Sequence, residues 1–319
     1  MSFDELMEHA RDIQAAAIAA AMKEKGVREA PRPGDPPYTP HPGEDAARAA
    51  IFSEFADVPS LFEPFAMTPD PASFDGLLQE LSGGMNHLSS GRMPDDPITG
   101  DTYLVNVLLD RVGATESYLD QWTGDGGDKF RSKFVHDFSS IVTNQFIGCA
   151  VLRGALEAQK ALWLNARANI DTVAHDTLTA LDNMGHCGQN QWTMTWTIVA
   201  SVAAVAAVPL SAGTSLLGAA AAVTAVGAAG QVIAAHQLNP KKETHYHGET
   251  AAVVIEQMRR GVAQAIGEIQ QGEQLIAGVL RSLHASIDQH RGMFVSPRPA
   301  LLDATPSTVF DDKYLGHAR

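Results

Sequence analysis

The sequence predicts an all-α protein: an elongated helical bundle of long antiparallel helices that also carries a hydrophobic helical hairpin. Three observations predict it. Apolar residues recur in steps of three, four and seven over residues 128–183 and again over 250–290, the period of one helix face. Proline is absent from both runs. Between Asp182 and Lys241 there are 58 consecutive residues without Asp, Glu, Lys or Arg, in a chain that is 19% charged.

Taken in order, residues 1–30 hold an amphipathic helix over 2–25. Its acidic start, with Asp4 and Glu5, is the reverse of a basic secretory leader, so it does not read as a cleaved signal peptide. Residues 31–43 are a linker too rich in proline for helix or central strand. Residues 44–101 carry shorter helices broken by Pro59, Pro64, Pro69 and Pro71, with a stop at Gly83-Gly84 and a loop over 91–101 that ends in a helix start near Asp101-Thr102. From 102 to 183 a first helix bears Tyr103, Val107, Leu108, Val112 and Leu119. A glycine-rich break follows at 122–127, and then one long helix. Its stripe runs through Phe130, Phe134, Phe138, Ile141, Trp163, Ile170 and Val173. Residues 241–292 form the last strong helix, with Ile255, Met258, Val262, Ile276 and Leu283 on one face, and 293–319 an irregular tail. No strand alternation of useful length is expected.

The uncharged segment, 184–240, contains two candidate helical spans, Trp192–Leu210 and Leu216–Ala235. Each would be about 30 Å long, the thickness of a bilayer core. In the first, Trp192, Trp196, Val199, Val202, Val205 and Val208 are the candidate membrane-inserting residues; Trp192 and Trp196 stand at one end, where interfacial tryptophans belong. In the second they are Leu216, Leu217, Val223, Val226, Val232 and Ile233. Fifteen alanines between residues 200 and 235 make each span only marginally apolar and favour close helix–helix packing. Three readings stay open: a hairpin buried in the fold, one that inserts conditionally or as an oligomeric pore, and a constitutive anchor. His186, His236, His245 and His247 flank or border the segment and are candidate pH-sensing residues, since imidazole titrates near pH 6.5.

The formal net charge of −14 argues against nucleic acid and against standing attraction to anionic lipid. Membrane lipid is therefore expected as a conditional partner, held by apolar burial. Two cysteines, Cys149 and Cys187, do not make a disulfide framework. Phosphate loops, dinucleotide fingerprints, nucleophile elbows and paired-cysteine metal sites are missing from the sequence, so neither an enzyme nor a cofactor is expected. His245 and His247 lack a further ligand at metal-binding spacing.

The helix–turn–helix around Trp122 and Gly124, with Leu119, Gly127, Phe130 and Phe134, resembles the Trp-x-Gly family of actinobacterial type VII (ESX) secretion substrates over residues 102–183. The longer chain is similar to ESX-associated proteins of the EspA and EspB kind, or to the channel-forming half of mycobacterial necrotizing toxin. The resemblance implies a helical hairpin with Trp122 and Gly124 at its bend. It also implies export without a cleaved leader, to the cell surface, a membrane or the medium, from a cytoplasmic precursor. A homo-oligomer or a secretion partner protein would accompany it. The family's export signal, a tyrosine followed four residues later by Asp or Glu, is absent after all five tyrosines. Two functions follow as expectations: insertion of the apolar hairpin into membranes, or a soluble secretion-system interaction protein whose hairpin packs in its core or against a partner.

Overall fold

Both proline-free runs form long helices. The computed structural model describes residues 3–28, 39, 41–119, 122, 125–184, 191–196, 242–247, 249–296, 300–311 and 314. In chain order these give α1 (Leu6–Glu24), α2 (Glu44–Glu54), α3 (Val58–Ala66), α4 (Asp75–Leu88), α5 (Val107–Ala114), α6 (Glu116–Leu119), α7 (Asp125–Phe130), a π-turn at Arg131–Val135, α8 (His136–Asp182), strands β1 (Gln191–Trp196) and β2 (Lys242–His247), and α9 (Ala251–Gln289), with short 3-10 turns at 3–5, 71–74, 291–293 and 300–303. The all-α class holds. One antiparallel strand pair, β1 with β2, departs from it.

The chain divides into two units, each assembled from separated stretches. The first contains Met1–Pro71, Lys160–Val199 and Asn239–Glu273; the second contains Ala72–Gln159 and Gln274–Arg319. Long helices α8 and α9 contribute one part to each.

In the first unit α1 buries Leu6, Ala10, Ile13, Ala17 and Ala21, a face of small and aliphatic residues at steps of three and four. Val58, Phe62 and Phe65 of α3, Phe55, and Ile170 and Val173 of α8 are buried with them, as are Val254, Ile255 and Met258 of α9. Polar fasteners close the unit. Arg259 grips Asp57 with two bonds of 2.7 and 3.0 Å and donates to the Glu54 carbonyl at 2.9 Å. Its charge and hydrogen bonds hold the Asp57 carboxyl below the ordinary carboxylate range. The Glu24 carboxylate accepts from the Ala251 amide at 2.9 Å, an acid set against the amino end of α9, where the helix dipole favours it.

The second unit centres on Met85, Ile98, Tyr103, Phe146, Ile147, Ala150, Val151 and Leu283. Tyr103 meets Phe146 edge to face, with ring centroids 5.7 Å apart. Beside this core Arg153 donates to Asp101 at 2.7 Å, the Tyr103 hydroxyl at 2.9 Å and Glu157 at 3.0 Å, and lies 3.3 Å from the fully buried Asp96 carboxylate. Burial pushes the Tyr103 hydroxyl above its ordinary pKa. Asn144 and Gln145 bind the carbonyls of Met293 and Phe294, each at 2.7 Å, and tie down the turn after α9.

Three expectations change here. Pro64, expected to break a helix, lies inside α3. Gly83 and Gly84 do not stop a helix; both lie inside α4, where a Cβ would meet nothing within 4 Å and neither shows positive φ. The buried Met85 beside them anchors the helix through this weak stretch, so packing overrides propensity. The helix expected from Asp101-Thr102 starts instead at Val107, capped by the Asn106 side chain, which accepts from the Leu108 amide at 3.1 Å. Asp101 is committed to Arg153, and Thr102 bridges back to Asp95.

Candidate functional site

The bend lies in the second unit. The Leu119 carbonyl, at the end of α6, accepts from the Trp122 amide at 2.9 Å and from the Arg131 guanidinium at 2.7 Å, so an arginine from beyond the turn locks it. Arg131 also pairs with Asp128. The Trp122 ring lies 5.7 Å from Phe130, Phe130 lies 5.1 Å from Phe134, and Phe134 lies 5.6 Å from Phe138. Four aromatic rings thus run in series along one helix side, through the π-turn at 131–135. Trp122 and the two phenylalanines named from sequence come together; Gly124 lies outside the described residues. Gly127 matters through a close approach, which no residue pattern in the sequence marks. A Cβ there would stand 2.5 Å from the Trp122 carbonyl oxygen.

The arm before the bend differs from the expected hairpin. It breaks at Thr115 into α5 and α6, and α5 buries no residue. Val107 and Leu108 are 56% and 61% exposed, and Tyr118 is 80% exposed. The apolar face of α8 that a pairing arm would need is already occupied, since Phe146, Ile147, Ala150 and Val151 pack on Met85, Ile98, Tyr103 and Leu283.

The strand pair of the first unit takes its first strand from within the uncharged segment and its second from just after it. The register sets Gln191 opposite His247, Trp192 opposite Tyr246, Thr193 opposite His245 and Trp196 opposite Lys242. Trp192 and Trp196 therefore do not begin a helical span, which corrects the first predicted span. The missed signal is local: Trp192-Thr-Met-Thr-Trp196 alternates apolar residues with β-branched threonine, a period of two. His245 and His247 stand on the partner strand, outside the last long helix, which starts at Ala251 rather than at 241. Val199, Val202, Val205, Val208, Leu216, Leu217, Val223, Val226, Val232 and Ile233 lie outside the described residues, as do His186 and His236.

Among the described residues no helix is long and apolar enough to cross a membrane. Among those same residues no group of three or more His, Cys, Asp or Glu is arranged to hold a metal ion. What the arrangement offers is a fastened aromatic bend, an exposed apolar helix before it, and a strand pair that brings Trp196 and Lys242 together. Comparison with family models, with curated proteins and with solved structures returns no match for the chain.

Proposed function

We propose that this protein acts on membranes through the part of its uncharged segment that follows β1, residues 197–240, inserting it as an apolar hairpin, as an oligomer, after export by a type VII pathway. One observation carries the reading. A strand inside the 58-residue uncharged stretch, Gln191–Trp196, pairs antiparallel with Lys242–His247 just beyond its end, and the last pair of the ladder is Trp196 with Lys242. A chain that leaves and returns at one point has the topology that a two-pass insertion needs. The 45 residues between these two allow two arms of about 20 residues and a short turn, and about 20 helical residues match a bilayer core. Insertion as an oligomer follows from composition, since Ala and Gly let helices approach closely where alanine alone supplies little transfer energy. The Trp-x-Gly resemblance supports export, with Trp122 and its aromatic neighbours as the bend.

The test is dye leakage and flotation with liposomes at pH 7.5 and 5.0. Wild type should bind and leak contents, more strongly at pH 5.0, where histidines charge and offset the acidic surface. Ala204→Asp/Ala225→Asp should stay folded and lose both activities. No flotation of folded wild type at either pH sinks the reading. Export is checked separately: in an actinobacterial host, the protein should reach the medium only when the type VII apparatus is intact.

A second reading is favoured by α5. Its exposed Val107 and Leu108, with Leu104 84% exposed just before them, form an apolar surface of the kind that marks a protein contact. On that reading the chain is a soluble interaction protein of the secretion system. Charges at Ala204 and Ala225 would then disrupt folding or partner binding.

A further inference from the structure

Within the second unit a groove of about 500 Å³ opens between α4, α8 and α9. Its floor is Ala155 and Ile276, 3% and 5% exposed, and the small Ala155 side chain gives it depth. Leu81 and Leu156 form half-buried walls, and Leu77, Leu152 and Leu280 stand at the mouth, 50%, 39% and 37% exposed. The spacings are those of helix faces: 77, 80 and 81 on α4; 152, 155, 156 and 159 on α8; 276 and 280 on α9. Among the described residues only Glu80 and Gln159 interrupt the apolar lining. Glu80 is exposed at the edge and, among the described residues, forms no hydrogen bond or ion pair, so its carboxylate is free to meet an incoming group.

Size decides what class of molecule fits. Specific protein partners bury roughly 20–30 residues a side, far more than this groove offers. Its volume falls inside the range of about 300–1,000 Å³ typical of small-molecule sites, and such sites combine apolar walls with one or two polar groups that fix orientation. Charge decides the polar end. Among the described residues the one ionisable group in the lining is a carboxylate, which attracts a cation and repels a fatty acid. We propose that this groove binds a single-chain amphiphile, its aliphatic tail laid over Ala155 and Ile276 and its positively charged head beside Glu80. The proposal does not depend on the membrane reading above.

Calorimetry on the full chain tests it, with decyltrimethylammonium and decanoate, each below its micelle threshold. The cation should bind with one site per chain, about tenfold more tightly than decanoate. Attraction of one head and repulsion of the other at an exposed carboxylate are each worth about threefold. Glu80→Gln, an exposed substitution that leaves the fold intact, should bring the two ligands within about twofold of each other by weakening the first and strengthening the second. Leu152→Trp, which fills the mouth, should reduce binding of both at least tenfold, whereas Leu108→Trp on α5 should change neither. Equal binding of the two ligands to wild type overturns the proposal. So does a cation preference that survives Glu80→Gln, unreduced binding to folded Leu152→Trp, or no binding of either ligand.

Discussion

The backbone carbonyl of Trp122 occupies the space beside Gly127 so closely that a methyl group there would stand 2.5 Å from its oxygen and 3.0 Å from the indole ring. Backbone cannot retreat as a side-chain tip can, so Gly127→Ala must push Trp122 off Phe130. The expected cost is about 1–3 kcal/mol, the range for overpacking. Gly148→Ala is the contrast: its new methyl meets nothing within 4 Å in the interior of α8, and helix propensity alone should stabilise by up to about 1 kcal/mol. Urea denaturation followed by tryptophan fluorescence reads both changes.

Arg153 is 13% exposed and faces Asp96, whose side chain is fully buried. Arg153→Met leaves that carboxylate without its cation and should cost about 3 kcal/mol. Combining it with Asp96→Asn should recover part of the loss, because the orphaned charge goes while an oxygen remains for the Ile98 amide, now held at 2.7 Å. A double mutant no more stable than Arg153→Met would show that the other partners of Arg153 carry the effect.

Asp176 has the opposite character. Burial raises its pKa, with the His175 charge only partly opposing the shift. A carboxyl with a raised folded-state pKa takes up its proton more readily in the fold than in the unfolded chain. Its ionisation therefore penalises the fold above the raised pKa, and the penalty disappears once the pH falls below the ordinary carboxylate value near 4. Asp176→Asn should raise Tm at pH 7, with a gain that shrinks to nothing by about pH 3. A Tm gain that is the same at both pH values would assign it to something other than ionisation.

At Asp57 the sign reverses. The Arg259 hydrogen bond and charge depress its folded-state pKa, so its contribution is complete above the ordinary carboxylate pKa and is lost as pH falls through the depressed value. Arg259→Gln should lower stability at pH 7 and converge with wild type under acid. Because Asp57 is 47% exposed, the difference should be no more than about 1 kcal/mol.

Some of this architecture is readable in sequence because its cause is local. The stripe of Ile255, Met258 and Val262 announces α9, and all three are buried. The strand pair carries only a short local mark, the alternation over 192–196. Trp192-Thr-Met-Thr-Trp196 lies within a long apolar run that reads as helix, and its pairing partner begins at Lys242, far along the chain. Arg153 looks like an ordinary helix-surface residue, since Asp101 and Asp96 lie 52 and 57 positions earlier. Gly83 and Gly84 mislead for the converse reason: their local preference is real, but the packing of Met85 outweighs it. At the bend, the identity of Trp122 and its phenylalanines was legible, while the Leu119 carbonyl that receives Arg131 belongs to the backbone and leaves no mark on residue choice.

Glu24, near the start of the chain, binds the amide of Ala251, 227 residues later. The first unit draws on residues from both ends of that interval as well as from α8. During synthesis, therefore, α1 to α3 can pack on one another as they emerge, but the surface that meets α9 stays open until the ribosome has delivered that helix. Order of appearance and order of assembly part company, and for that interval the nascent chain presents a long-lived unfinished surface to whatever chaperone or targeting factor reaches it first.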